Sequence, residues 1–238
     1  MSEIIEFFGP PGSGKTSIFK VLSNTNKEKD NWVTFDKVMP LKPLISKSLK
    51  ETSQNFIKLL GSGRKPIDTK KLISAGDRFL LRNQVYIDTY LHHLIYHQKS
   101  SLNGMDLRFK RADLFYKTIQ KIQYFKEIPN SKMVLVEEGL IHRLPTFGSD
   151  SKTLEQDKFD LKELLFLIPH PKAVIYIDTE LDVLLKRIAS RSSMIDMHRS
   201  LNKKDLEWLT LKIKTRMLYI VSEIKQNGIP ILELDTKQ

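Results

Sequence analysis

Residues 9 to 16 read GPPGSGKT, between the apolar run Glu3–Phe8 and the helical pattern SIFKVL. A stretch this rich in glycine, with two prolines and a lysine, cannot pack a core but is well suited to hold an anion. The glycines let successive backbone N–H groups turn inward around a negative group, at the positive end of the helix that follows. Gly9, Gly14, Lys15 and Thr16 satisfy the spacing G-x-x-x-x-G-K-[ST], with Pro10, Pro11, Gly12 and Ser13 between them and Ser17 following. In that pattern the lysine reaches the β- and γ-phosphates and the threonine hydroxyl binds Mg²⁺. A strand before the loop and a helix after it are the context this chemistry needs. The stretch predicts binding of a nucleoside triphosphate, read as ATP with Mg²⁺.

A second constellation lies in AVIYIDTELDVLLKRIASR, residues 173 to 191. An apolar strand ends at Asp178, and a helix follows with Asp182 in its first turn. Arg187 and Arg191 are four residues apart and so share one helix face. Two guanidiniums in register can clamp phosphate oxygens and neutralise charge that develops on a transferring phosphoryl group. The same spacing also suits a solvated helix face. The polar stretch after them, SSMIDMHRSLNKKD, contains Arg199, and a lid over the phosphates is expected at about 187–204.

These residues need a scaffold, and the rest of the chain supplies its pattern. Five short apolar runs read as strands: Glu3–Phe8, Trp32–Phe35, Met133–Glu137, Ala173–Ile177 and Pro230–Leu234. MVLV and AVIYI are continuous rather than alternating, as in parallel strands covered on both faces. Helical patterns lie between them. One runs from about Thr69 to Gln98, with Leu72, Ile73, Phe79, Leu80, Ile87, Leu91 and Ile95 near helical spacing. Another begins after Asp205, carries Leu206, Leu209, Ile213, Met217, Ile220 and Ile224, and stops at NGIP. Strands alternating with helices predict an α/β fold with a five-stranded parallel sheet. At 238 residues the chain fits one domain, 1–238, with residues 37–131 as a helical insertion that binds the acceptor.

Composition narrows the class. Hydrophobic residues make up 40%, enough for a core, and the absence of cysteine excludes disulfides and thiolate metal sites. No apolar run is long enough to span a bilayer and the first residues do not read as a leader, so a cytoplasmic protein without membrane contact is expected. The formal charge of +11, from 39 basic against 28 acidic residues, suits phosphate-bearing ligands. The basic residues are scattered without a polybasic tail, which places nucleic acid behind a small-molecule acceptor among the partners. Self-association into a homodimer stays open.

In the order of its pieces the sequence resembles the P-loop nucleoside and nucleotide kinases, and most of all thymidylate kinases. EIIEFFGPPGSGKT is similar to their first strand and loop, YIDTELDVLLKRIASR to their fourth strand and lid arginines, and IPILELDT to their closing strand. LISAGDRFLL is similar to the helix that carries a nucleotide-contacting arginine, which implies that role for Arg78. The resemblance covers the sheet, about half of the chain, rather than the insertion. Where thymidylate kinases have Asp-Arg-Tyr after the third strand, this chain has VLVEEGLIHR. One alignment sets Glu137 in place of their aspartate. Another likens Glu138-Gly139 to the Asp-Gly of adenylate kinases and implies Arg143 as a substrate arginine. Either carboxylate would then hold the Mg²⁺ shell through water. In TFDKVMP, Asp36 stands where deoxynucleoside kinases place the carboxylate that takes the acceptor hydroxyl's proton.

The resulting expectation is phosphoryl transfer from Mg-ATP to a small acceptor, a nucleoside monophosphate or a nucleoside. Lys15, Arg187 and Arg191 would stabilise charge, and Asp36 would serve as base. Two alternatives are a P-loop ATPase or GTPase module without such activity and a polynucleotide 5′-kinase. Other features read as structural. His92, His93 and His97 read as helix-surface histidines, and FYKTIQKIQYF reads as a helix packing Phe115, Ile119, Ile122 and Phe125 rather than a base-stacking platform.

Overall fold

The computed structural model describes residues 2–25, 31–39, 68–96, 108–129, 132–144, 154–190 and 201–236. Five strands form one sheet: β1 (Ile4–Phe8), β2 (Trp32–Thr34), β3 (Met133–Glu137), β4 (Ala173–Asp178) and β5 (Ile231–Asp235). Their order is β2-β3-β1-β4-β5, and every adjacent pair is parallel. The expected fold is the observed one. Phe35, read as the end of the second strand, instead opens a short helix, α2 (Phe35–Val38), which follows α1 (Lys15–Thr25). The other helices are α3 (Thr69–Arg82), α4 (Gln84–Tyr96), α5 (Arg108–Glu127), α6 (Leu140–Arg143), α7 (Leu154–Leu167), α8 (Leu181–Ala189) and α9 (Lys203–Gln226).

Alternation along β1 divides the core. Ile4 and Phe8 point to one face of the sheet and join a large cluster with Phe79, Tyr90, Phe115 and Ile220. Phe7 points to the other face and packs with Phe19 of α1, Leu135 and Ile177. A strand covered on both faces leaves no room for polar alternation, hence the continuous apolar runs. The pattern of α9 is met in full: Leu206, Leu209, Ile213, Met217, Ile220 and Ile224 are all buried. The Asn202 side chain caps this helix by accepting the Asp205 amide at 2.9 Å. At its other end the Ile229 amide closes on the Ile224 carbonyl at 3.1 Å.

The single helix expected from about 69 to 98 is two. Asn83 ends α3 by giving both its amide and its side-chain Nδ2 to the Phe79 carbonyl, while its own carbonyl accepts the Ile87 amide of α4. A residue able to bond the backbone from its side chain competes with helix continuation, and here it turns the chain. Of the residues near helical spacing, Ile73 and Ile95 are about half exposed, whereas Tyr86 and Tyr90, outside that set, are buried. Of the expected insertion, α3, α4 and α5 are helical as read, and 40–67, 97–107 and 130–131 lie outside the described residues.

Candidate functional site

The site lies at the carboxyl edge of the parallel sheet, where β1 and β3 end side by side. In open α/β sheets this edge is where ligands bind. β1 ends at Phe8 and runs straight into the glycine loop. β3 pairs Glu137 with Phe7 and ends there, with the Glu138 amide on the Phe7 carbonyl at 3.2 Å. The loop is glycine where it must be. A Cβ on Gly9 would sit 2.6 Å from the Ile177 carbonyl oxygen, and Gly12 and Gly14 have φ of +88° and +91°. Within the loop the Ser13 hydroxyl is fully buried with no hydrogen-bond partner.

Lys15, the first residue of α1, is buried and turns back on the loop, donating from Nζ to the Gly9 carbonyl at 2.7 Å and the Pro10 carbonyl at 3.1 Å. Arg187, from α8, reaches the same loop. Its Nη1 is 3.4 Å from the Gly12 carbonyl and would be 3.7 Å from a Cβ on Gly14. Bare backbone and a guanidinium thus face one space, with the start of α1 beneath them. The second arginine, Arg191, and residues 191–200 of the expected lid lie outside the described residues. Lys203 and Lys204, placed in that lid, belong instead to the first turn of α9.

Beside the loop, Thr16 donates from Oγ1 to Glu137 Oε1 at 2.5 Å. A hydroxyl and a carboxylate so close are two hard oxygen donors of the kind Mg²⁺ takes. Both line a cavity of about 330 Å³, together with Phe35, Lys121, Glu138 and Arg143, a volume that suits a small metabolite. Glu138 has φ +59°, the only positive φ outside glycine among the described residues. Such a conformation is uncommon for a side-chain-bearing residue and marks a locally constrained position. Its carboxylate lies 3.5 Å from His142 Nε2 and 3.7 Å from Arg143 Nη2. Arg143 also donates from Nε to the Thr118 hydroxyl at 3.2 Å. Lys121 stands 5.7 Å over the Phe35 ring. Burial first, then the Arg143 charge, holds its ammonium below the usual lysine range, with Glu138 opposing. An anion in the cavity would shift it back up.

Two other residues named from the sequence lie elsewhere. Asp36 Oδ2 accepts from the Ser23 hydroxyl at 3.4 Å, tying α2 to α1. Arg78 is held by Glu127 at the end of α5, with Nε 2.9 Å and 3.0 Å from its two oxygens and Nη1 on Ser74. Neither lines the cavity. His93 is buried rather than on the surface, between Asp160 at 3.5 Å and Glu163 at 3.1 Å. His97 lies outside the described residues.

Sequence reasoning missed Glu6, His142 and Lys121. Glu6 is in the middle of β1, 1% exposed. Burial pushes its carboxyl up to about 7, against the His142 and Ile141 amides and the Arg143 charge. Burial first, then the Lys15 charge, pushes the His142 imidazole down to about 3. For Glu6 the signal was in plain view, a carboxylate inside an apolar strand.

A glycine loop of this spacing thus joins the middle strand of a parallel sheet to the helix that follows it. No protein-family model matches the chain, and no curated protein does. Among solved structures it is similar to a thymidylate kinase from Candida albicans, at 13% identity over 100% of this chain and 85% of that one, with a TM-score of 0.49. A thymidylate kinase from Ehrlichia chaffeensis shares 14% identity over 100% and 88%, with a TM-score of 0.43. A shikimate kinase from Bacteroides thetaiotaomicron shares 12% over 92% and 82%, with a TM-score of 0.40.

Proposed function

We propose that this chain is a kinase that transfers the γ-phosphoryl group of ATP to a small acceptor, an anionic nucleoside monophosphate before a nucleoside. The observation that carries the reading is that the loop and the cavity share a wall: Thr16, which closes the loop's motif, and Glu137, which accepts its hydrogen bond from β3, both line the cavity. A phosphoryl group held by the loop would then lie next to whatever fills the cavity, and positioning is most of what such transfer needs.

The glycine amides and the buried Ser13 hydroxyl offer donors to phosphate oxygens. Lys15 leaves the Gly9 and Pro10 carbonyls and turns to the β- and γ-phosphates. Arg187, already against the loop, balances the charge on the phosphoryl oxygens as the bond to the leaving group lengthens. Lys121 and Arg143 hold the acceptor's anionic group, and the Phe35 ring supplies an apolar wall. Thr16 and Glu137 would hold Mg²⁺, which would supply positive charge to offset that of the phosphates.

The test is ADP formation across nucleosides, nucleoside monophosphates and oligonucleotides. Turnover with a monophosphate well above ATP hydrolysis alone is expected. Equal rates with and without every small acceptor would leave a nucleotide-hydrolysing module, and turnover with oligonucleotides alone would make the chain a polynucleotide kinase. The two acids separate in the same assay. Glu137→Gln should raise the Mg²⁺ needed for half-maximal rate about tenfold, the scale of a lost ligand-orienting group. Glu138→Gln should leave that requirement unchanged. An unmoved Mg²⁺ titration in Glu137→Gln would remove it from the metal's surroundings.

A further inference from the structure

A carboxylate in the central strand of a parallel sheet has a desolvation cost, and nothing in the packing of β1 asks for it. Ile4 and Phe8, the neighbours of Glu6 on the same face, are buried in the apolar cluster. What uses the Glu6 oxygens is the turn after β3. Oε1 accepts the His142 amide at 2.7 Å and Oε2 accepts the Ile141 amide at 3.2 Å. The turn is glycine for the same reason, because a Cβ on Gly139 would come within 2.5 Å of Oε2. The residue before that glycine is Glu138, held at φ +59°, and the last residue of the helix whose amides Glu6 holds is Arg143. Both line the cavity.

We infer that Glu6 is a positioning residue for the acceptor. From beneath the sheet edge it holds α6 by two backbone amides and so sets Glu138 and Arg143 against the anion that the cavity receives. Gly139 and Glu6 act as one unit, since the close approach of one requires the absence of a side chain on the other. Arg143 is then fixed from two directions, by Glu6 through the backbone and by Thr118 at its Nε. The loop does not depend on this anchor, because Lys15 and Arg187 come from α1 and α8.

The kinetic arm of the test rests on the kinase reading; a spectroscopic arm does not. Glu6→Gln keeps the shape, but its amide nitrogen cannot accept, so one of the two backbone amides loses its partner. With the best acceptor from the panel, its KM should rise about tenfold, while the KM for ATP stays within about twofold. The Arg143 Nε–H resonance, assigned by its loss in Arg143→Lys, should shift in Glu6→Gln. Gly139→Ala should give the same split, and the double variant should be no worse than either alone. The inference is overturned if both KM values and the Arg143 resonance are unchanged. It is equally overturned if both KM values rise together with a falling Tm, the mark of a role in stability only. If the wild type phosphorylates no acceptor, the kinase reading fails, and the Arg143 resonance still decides whether Glu6 positions that side chain.

Discussion

Arg187→Ala should lower kcat by about 10³-fold, with the KM for ATP changed much less. The guanidinium reaches the Gly12 carbonyl and faces the backbone of Gly14, so it already stands at the loop before any charge develops there. A group preorganised towards developing charge counts in the transition state more than in the ground state. Effects of this size accompany loss of a guanidinium that stabilises phosphoryl transfer. Lysine should restore little, because a point charge on a flexible stem does not reproduce a planar fork of donors. Steady-state kinetics of the alanine and lysine variants decide the matter. An unchanged kcat in Arg187→Ala would make this residue a solvated part of α8.

Lys15→Ala should abolish most transfer, again by about 10³-fold or more, and should weaken ATP binding as well. Unlike Arg187, this side chain is buried, which raises the question of whether its loss would simply unfold the loop. Its bonds argue otherwise. The ammonium serves the carbonyls of Gly9 and Pro10, and water can replace it at the sheet edge. The loop's shape comes from its glycines and from the Ser13 amide on the Pro10 carbonyl at 3.1 Å. Circular dichroism and Tm should therefore stay near those of the wild type. Full turnover in a folded Lys15→Ala protein would end the assignment of this loop to phosphate.

The fold was legible because its signals are local. Continuous apolar runs announce strands covered on both faces, α9 repeats its apolar positions at helical spacing, and the loop declares itself by glycine spacing alone. What was missed depends on particular side-chain contacts, near or far along the chain, rather than on periodicity. Asn83 breaks a helix because its side chain finds the Phe79 carbonyl, and no periodicity announces such a bond. His93 is buried because Asp160 and Glu163, far along the chain, meet it. Arg78 was read from the helix it sits on, yet its direction is set by Glu127 on another. Of the two acids ending β3, spacing could not tell which faces Thr16. The register of β1 on β3 does so, by setting Glu137 beside Phe7 at the start of the loop.

The sheet order has a consequence for how the molecule comes to exist. β1 is the middle strand of the sheet although it precedes the other four in sequence, and Ile4 must find Val134 on one side while Ile5 finds Ala173 on the other. Both partners are made long after β1 itself. Pairings so distant in sequence are slow to close, because loop entropy must be overcome before any contact rewards it. The nearer pairing is β4 with β5 through α8 and α9. Assembly is therefore expected to begin with that pair, with the segment Ile4–Phe8 exposed until β3 and β4 are in place and then inserted between them. A chain that loses this segment loses the centre of its sheet, and with it the junction on which the glycine loop is mounted.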